Sequence, residues 1–99
     1  MFEKNDKKRL YWLIDQYLLK KMSARHFESE YYECYCLEVD LDALTDKEEQ
    51  AFRALSEVAT RFTDYEEDLR QYPGVYYTPN ELHKKIVETK ALLKDSWNY

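Results

Sequence analysis

Four apolar stripes at helical spacing, two of them opened by capping boxes, constrain this chain more than any other feature. In Thr45-Asp46-Lys47-Glu48 the threonine hydroxyl can accept from the Glu48 amide while the Glu48 carboxylate reaches back to the Thr45 amide. Phe52, Leu55, Val58, Ala59 and Phe62 then recur at the 3.6-residue period of a helix with one buried face. Thr78-Pro79-Asn80-Glu81 repeats the box, with proline at the first helical position, where its missing N–H costs nothing. Leu82, Ile86, Leu93 and Trp97 form the stripe of a closing helix that runs to about residue 95.

The first half carries the same period with weaker punctuation. Leu10, Leu13, Ile14, Tyr17 and Leu18 share one face of a helix over 6–21, with Asn5 as its N-cap. Ser23 marks the next start, and Phe27, Tyr31, Cys34, Leu37 and Leu41 continue the stripe over 24–40, leaving Glu28, Glu33 and Asp40 mostly off it. One glycine and two prolines are too few turn residues for a strand-rich domain. The expectation is therefore an all-α, single domain spanning residues 1–99, folded as an antiparallel four-helix bundle. Its first two joints are short; the third, 63–78, is long for a connection.

Little in the chain points to catalysis. Cys34 and Cys36 on one helix face roughly 200° apart, so they cannot bridge, and Cys-x-Cys alone is no zinc signal. Reduced, half-buried thiols are expected. His26 and Glu30 share a helix face, but two side chains do not make a metal site; His83 has no evident catalytic partner. Gly74 is the one glycine, so no phosphate-cradling loop is possible. Neither an enzyme nor a cofactor is expected. No apolar run approaches the roughly 18 residues of a membrane span, and the first residues lack the apolar core of a secretion signal. A cytoplasmic protein is expected.

Charge is more informative. The net charge of −5 is unevenly placed. Residues 1–25 carry seven Lys/Arg against three acids, residues 26–70 carry four against fourteen, and residues 71–99 are near balance. Such a field disfavours nucleic acid and anionic membrane and favours a basic partner. The long connection concentrates it: Asp64, Glu66, Glu67 and Asp68 follow the third helix, whose C-terminal dipole repels anions. Beside them stand Tyr65, Tyr72, Tyr76 and Tyr77. These tyrosines are either a flap over one bundle end or anchors of a binding face, since tyrosine is enriched at interface centres. Tyr17 and Tyr31 lie on buried stripes. Trp12 and Leu19 lie off the first stripe, where they are exposed, packed under a neighbour or part of a dimer contact.

The stretches LIDQYLLKKMSARHFESEYYE, LSEVATRFTDYEEDLR and NELHKKIVETKALL, in this order, resemble the colicin D immunity protein family, with its self-protective colicin-like and contact-dependent inhibition relatives. The resemblance covers roughly residues 10–94. It implies a monomeric helical bundle that binds a co-produced toxin one to one and blocks its active site. In the colicin D-like case the toxin is a tRNA-cleaving nuclease with a basic cleft, and acids of the inhibitor occupy the place of the RNA phosphates. Carried onto this chain, that role falls to Asp64, Glu66, Glu67 and Asp68, with Glu57 as a further candidate. Tyr65, Tyr72 and Tyr76 would be the anchors beside them. This chain departs from the pattern in its extra tyrosines and in an acidic second joint (Glu38, Asp40, Asp42, Asp46), which is the alternative contact face. A helical interaction module or homodimer built on Trp12 and Leu19 is the competing expectation.

Overall fold

The computed structural model describes residues 3–97; of the domain expected over 1–99, the first two and last two residues lie outside it. Among the described residues the chain forms five α-helices and no strand: α1 (Lys8–Leu18), α2 (Ala24–Tyr32), α3 (Asp46–Thr60), α4 (Glu66–Gln71) and α5 (Pro79–Leu92). A π-helical segment, Glu33–Glu38, extends α2, and 3-10 turns occupy Leu41–Ala43 and Lys94–Ser96.

Both capping boxes form, with Glu48 N to Thr45 Oγ1 and Glu81 N to Thr78 Oγ1 each at 3.1 Å. Ser23 caps α2 by accepting from the His26 amide at 3.1 Å. Asn5 is not the cap of α1. Asp6 accepts from the Lys8 amide at 2.9 Å, and the Asn5 carbonyl instead takes the Asp40 amide at 3.0 Å. α1 stops at Leu18 because Lys20 and Lys21 turn back, their amides donating to the Tyr17 and Gln16 carbonyls. This is a Schellman ending with lysine in the left-handed position (φ 63°) that glycine usually fills. α5 ends at Leu92, short of residue 95, and passes into the 3-10 turn.

The largest departure is in the second helix. A continuous α-helix would bury Leu37 and Leu41. Instead the Val39 amide reaches the Cys34 carbonyl at 2.7 Å, five residues back, which widens the turn. Tyr35 and Val39 rotate inward, leaving Leu37 68% and Leu41 50% exposed. The inward set makes an aromatic ladder: Tyr31 stacks on Phe27 at 5.3 Å and on Tyr35 at 5.8 Å. Tyr31 Oη donates to the Phe52 carbonyl at 2.8 Å, so its buried hydroxyl is satisfied.

The core is drawn from every long helix: Leu10, Leu13 and Ile14 of α1, Phe27 and Tyr31 of α2, Phe52 and Leu55 of α3, Leu82 and Ile86 of α5. Each such side chain contributes about 1.5–3 kcal/mol on burial. Trp12 packs against this core from the side, whereas Leu19 stands 62% exposed. α3 packs on α5 and on α2, and α1 on α2. Two polar clamps tie α1 to the rest. Asp15 accepts from Lys90 Nζ at 2.7 Å and from Trp97 Nε1 at 2.9 Å. At the opposite end, the Glu48 carboxylate, in a residue only 3% exposed, accepts from Tyr11 Oη, from Lys7 Nζ at 2.9 Å and from the Thr45 amide at 2.9 Å.

Both cysteines are free thiols as expected, but neither is half-buried: Cys34 is buried and Cys36 exposed. Burial pushes the Cys34 thiol up to about 11, which makes it a poor nucleophile at neutral pH.

Candidate functional site

The acidic, tyrosine-rich connection is built on a staple. The Thr63 amide donates to the Tyr77 carbonyl at 3.0 Å and the Tyr77 amide to the Arg61 carbonyl at 2.8 Å. This isolated bridge between Phe62 and Tyr77 closes the two ends on each other. What lies between is a compact excursion. Thr63, buried, accepts from the Tyr65 amide at 3.2 Å and donates to Asp68 at 3.1 Å, so one hydroxyl sets up the start of α4. Leu69 is half-buried and lines a depression with Arg61, Tyr76 and Tyr77. After α4, Tyr72-Pro73-Gly74-Val75 closes with Val75 N to Tyr72 O at 3.1 Å. Proline second and Gly74 third at φ 82° are the residues a type II turn requires.

This geometry corrects one expectation. The four carboxylates are not all set against the C-terminal dipole of α3. Glu66, Glu67 and Asp68 form the first turn of α4, with Arg70 in its last turn, which is the arrangement a helix dipole favours. The charges therefore have a local folding role. Glu67 also accepts from Gln71 at 3.3 Å, and Glu66 lies 3.9 Å from Arg70. Asp64 pairs with Arg25 of α2, whose guanidinium sits 4.6 Å above the Tyr65 ring. That pair fastens the connection to the start of α2. The Arg25 guanidinium is held further above its ordinary range by its bonds to Asp64 and Tyr65.

Glu57, Asp64, Tyr65, Glu66, Glu67, Tyr72 and Tyr76 are all exposed, and Asp68 is half-buried. Tyr72 and Tyr76 meet edge to face at 6.2 Å, while Tyr77 tucks in to line a depression with Glu57, Thr60 and Arg61. The fold thus brings Glu57 of α3 against the returning chain. The surface is not uniformly acidic, since Arg25, Arg61 and Arg70 are interleaved with the carboxylates.

The second joint is organised differently. Glu38 is taken up internally, accepting from Arg9 at 2.8 Å with Lys4 at 3.8 Å. Asp40 accepts from the Asp42 amide at 3.1 Å and Asp46 opens α3, both exposed, as is Asp42.

Other candidates resolve into packing. His26 lies 3.5 Å from Glu30, which also takes Arg9 at 3.3 Å. His83 shares a 3.0 Å hydrogen bond with the Tyr17 hydroxyl. Among the described residues no three His, Cys, Asp or Glu side chains are grouped to hold a metal, and no helix is long and apolar enough to cross a membrane.

The Tyr11–Glu48–Lys7 cluster was not anticipated from the sequence. Burial raises the Glu48 carboxyl, but its bonds to Thr45, Tyr11 and Lys7 outweigh that and hold it below its ordinary value. The Tyr11 hydroxyl is pushed far up, by burial first and by Glu48 second. Tyr35, raised by burial and by its 2.9 Å bond to Glu49, reaches about 12. A signal existed: Glu48 lies four and seven residues before Phe52 and Leu55, on the same helix face.

No family model matches the chain, and neither does any curated protein or solved structure.

Proposed function

We propose that this protein is an inhibitor of the immunity type, which binds the nuclease domain of a cognate bacterial toxin in the producing cell's cytoplasm and covers its cationic active site. One observation carries the reading beyond the sequence resemblance. Asp64, Glu66 and Glu67 lie exposed on the same folded excursion as Tyr65, Tyr72 and Tyr76, with Glu57 of α3 exposed beside the returning chain, so charge and aromatic anchors come together. A nuclease cleft is cationic because it binds phosphates, so carboxylates held on a short helix compete for the same groups. Long-range attraction speeds encounter, and buried tyrosines slow release. The finer architecture belongs to the same proposal: α1, α2, α3 and α5 run as an antiparallel four-helix bundle carrying α4 as its display element. Supporting this, Tyr17 near the end of α1 meets His83 near the start of α5, and Tyr11 near the start of α1 meets Trp97 beyond α5.

The test is calorimetric titration of the toxin domain encoded beside this gene with Asp64→Asn/Glu66→Gln/Glu67→Gln/Asp68→Asn protein. Affinity is expected to fall by about a hundredfold or more, with helicity retained and stability changed by no more than about 1 kcal/mol. Unchanged affinity would overturn the assignment of this surface. A homodimer is the second reading, favoured by the exposure of Leu19. Sedimentation of the free protein as a tight dimer, abolished by Leu19→Ser, would replace the first reading with it.

A further inference from the structure

The π-helical segment has a consequence outside the 57–76 surface. By widening one turn it removes Leu37 and Leu41 from the core stripe and presents them to solvent. Tyr32, five residues before Leu37 in the same helical run, is exposed as well, as is Cys36. Exposed apolar side chains close together in sequence are a feature of interaction sites, and π-turns recur at functional sites. Within the segment Glu38 already holds Arg9 and Lys4, and the unpaired charge that remains is acidic. Glu33, Asp40 and Asp42 are exposed, and no lysine or arginine among the described residues lies within ion-pair distance of any of them.

We propose that the 32–42 segment is a docking face for a basic amphipathic segment of a partner protein. The partner's apolar side would cover Tyr32, Leu37 and Leu41, and its lysines or arginines would meet Glu33, Asp40 and Asp42. Charge complementarity selects this occupant. A second copy docked face to face would oppose two acidic rims, from a region in which fourteen acids outnumber four basic residues. An anionic membrane or nucleic acid is repelled for the same reason. An apolar centre with a polar rim is the anatomy of a protein interface. The face overlaps the acidic second joint, the alternative contact face of the toxin reading, through Asp40 and Asp42. The inference differs in adding the apolar side chains and is tested with a peptide instead of the toxin, so the two can fail separately.

The probe is a synthetic helical peptide with leucines on one face and lysines on the other, titrated into isotope-labelled full-length protein by NMR. A scrambled peptide of the same composition is the control. The amphipathic peptide is expected to shift amides of residues 32–42 and to bind about tenfold more weakly to Leu37→Ser/Leu41→Ser protein. Both leucines are exposed, so that variant should keep the wild-type spectrum elsewhere, and Val87→Ser/Leu92→Ser, at two further exposed apolar positions on α5, should bind as wild type. Shifts centred on 64–76, equal binding of the scrambled peptide, or unchanged affinity in the double leucine variant would each overturn the proposal. So would a concentration-dependent dimer abolished by the leucine substitutions, which would make a second copy the occupant.

Discussion

The two capping boxes are written in nearly the same letters, TDKE and TPNE, and the backbone treats them alike. Each threonine accepts from the glutamate amide at 3.1 Å, and each glutamate accepts from the threonine amide, at 2.9 Å in one and 3.0 Å in the other. Their surroundings differ. Glu81 is exposed, whereas Glu48 is buried beneath Tyr11 and Lys7 of the α1 end. The same motif starts a helix in both places, but only at Glu48 does it join two helices. The first-turn acids of α4 make a third case, with Glu66 and Glu67 exposed like Glu81 and so available to a partner.

The sharpest way to break this comparison is to remove each glutamate. Glu48→Ala removes the Glu48 bond of the Tyr11 hydroxyl, the side-chain acceptor of the Thr45 amide and the counterion of Lys7, and should cost about 3 kcal/mol in denaturant unfolding. Glu81→Ala loses one solvent-exposed bond and should cost about 0.5 kcal/mol. Equal losses would mean that burial adds nothing to the first box.

Acid titration is expected to show the next largest effect. The folded Glu48 carboxyl lies below its unfolded value, so its contribution is fully present above the unfolded value of about 4.3 and is lost as pH falls through the folded one. Below about pH 4 wild-type stability should fall more steeply than that of Glu48→Gln. Parallel curves would remove Glu48 as the group responsible.

The smallest effect concerns a helix end instead of a start. Lys20 occupies the left-handed position of the α1 Schellman ending. Lys20→Gly relieves that strain and should raise stability by up to about 1 kcal/mol, visible as a higher midpoint in urea. A loss would show that the lysine side chain contributes more than its backbone strain costs.

Much of the fold was legible. The box at Thr45, the box at Thr78 and the cap at Ser23 appear where the sequence places them, because capping depends on side chains within three residues of the backbone they serve. The stripes of α1, α3 and α5 bury most of the residues they name, with Tyr17, Leu18, Phe62 and Trp97 only half-buried. α4 was readable in principle, since Glu66, Glu67 and Asp68 followed by Arg70 is an acid-first, base-last pattern. The run of polar letters hid it, with Leu69 its single apolar anchor. Leu37 and Leu41 could not be placed by periodicity, since an α-turn and a π-turn differ by one residue and the letters ECYCLE do not choose between them.

The sequence by itself determined where α2, α3 and α5 begin, which faces of α1, α3 and α5 are apolar and where the acids concentrate, because each depends on neighbours within a turn or two. Only the tertiary structure decided that Tyr35 turns inward, stacking on Tyr31 and bonding Glu49 of α3, while Leu37 turns out and the segment packs on α1. The same holds for Glu48, whose burial required Tyr11 and Lys7 from far along the chain. It holds also for Arg25, which reaches Asp64 across the fold. Pairings of that kind are set by which helices come to lie together, and no local spacing carries them.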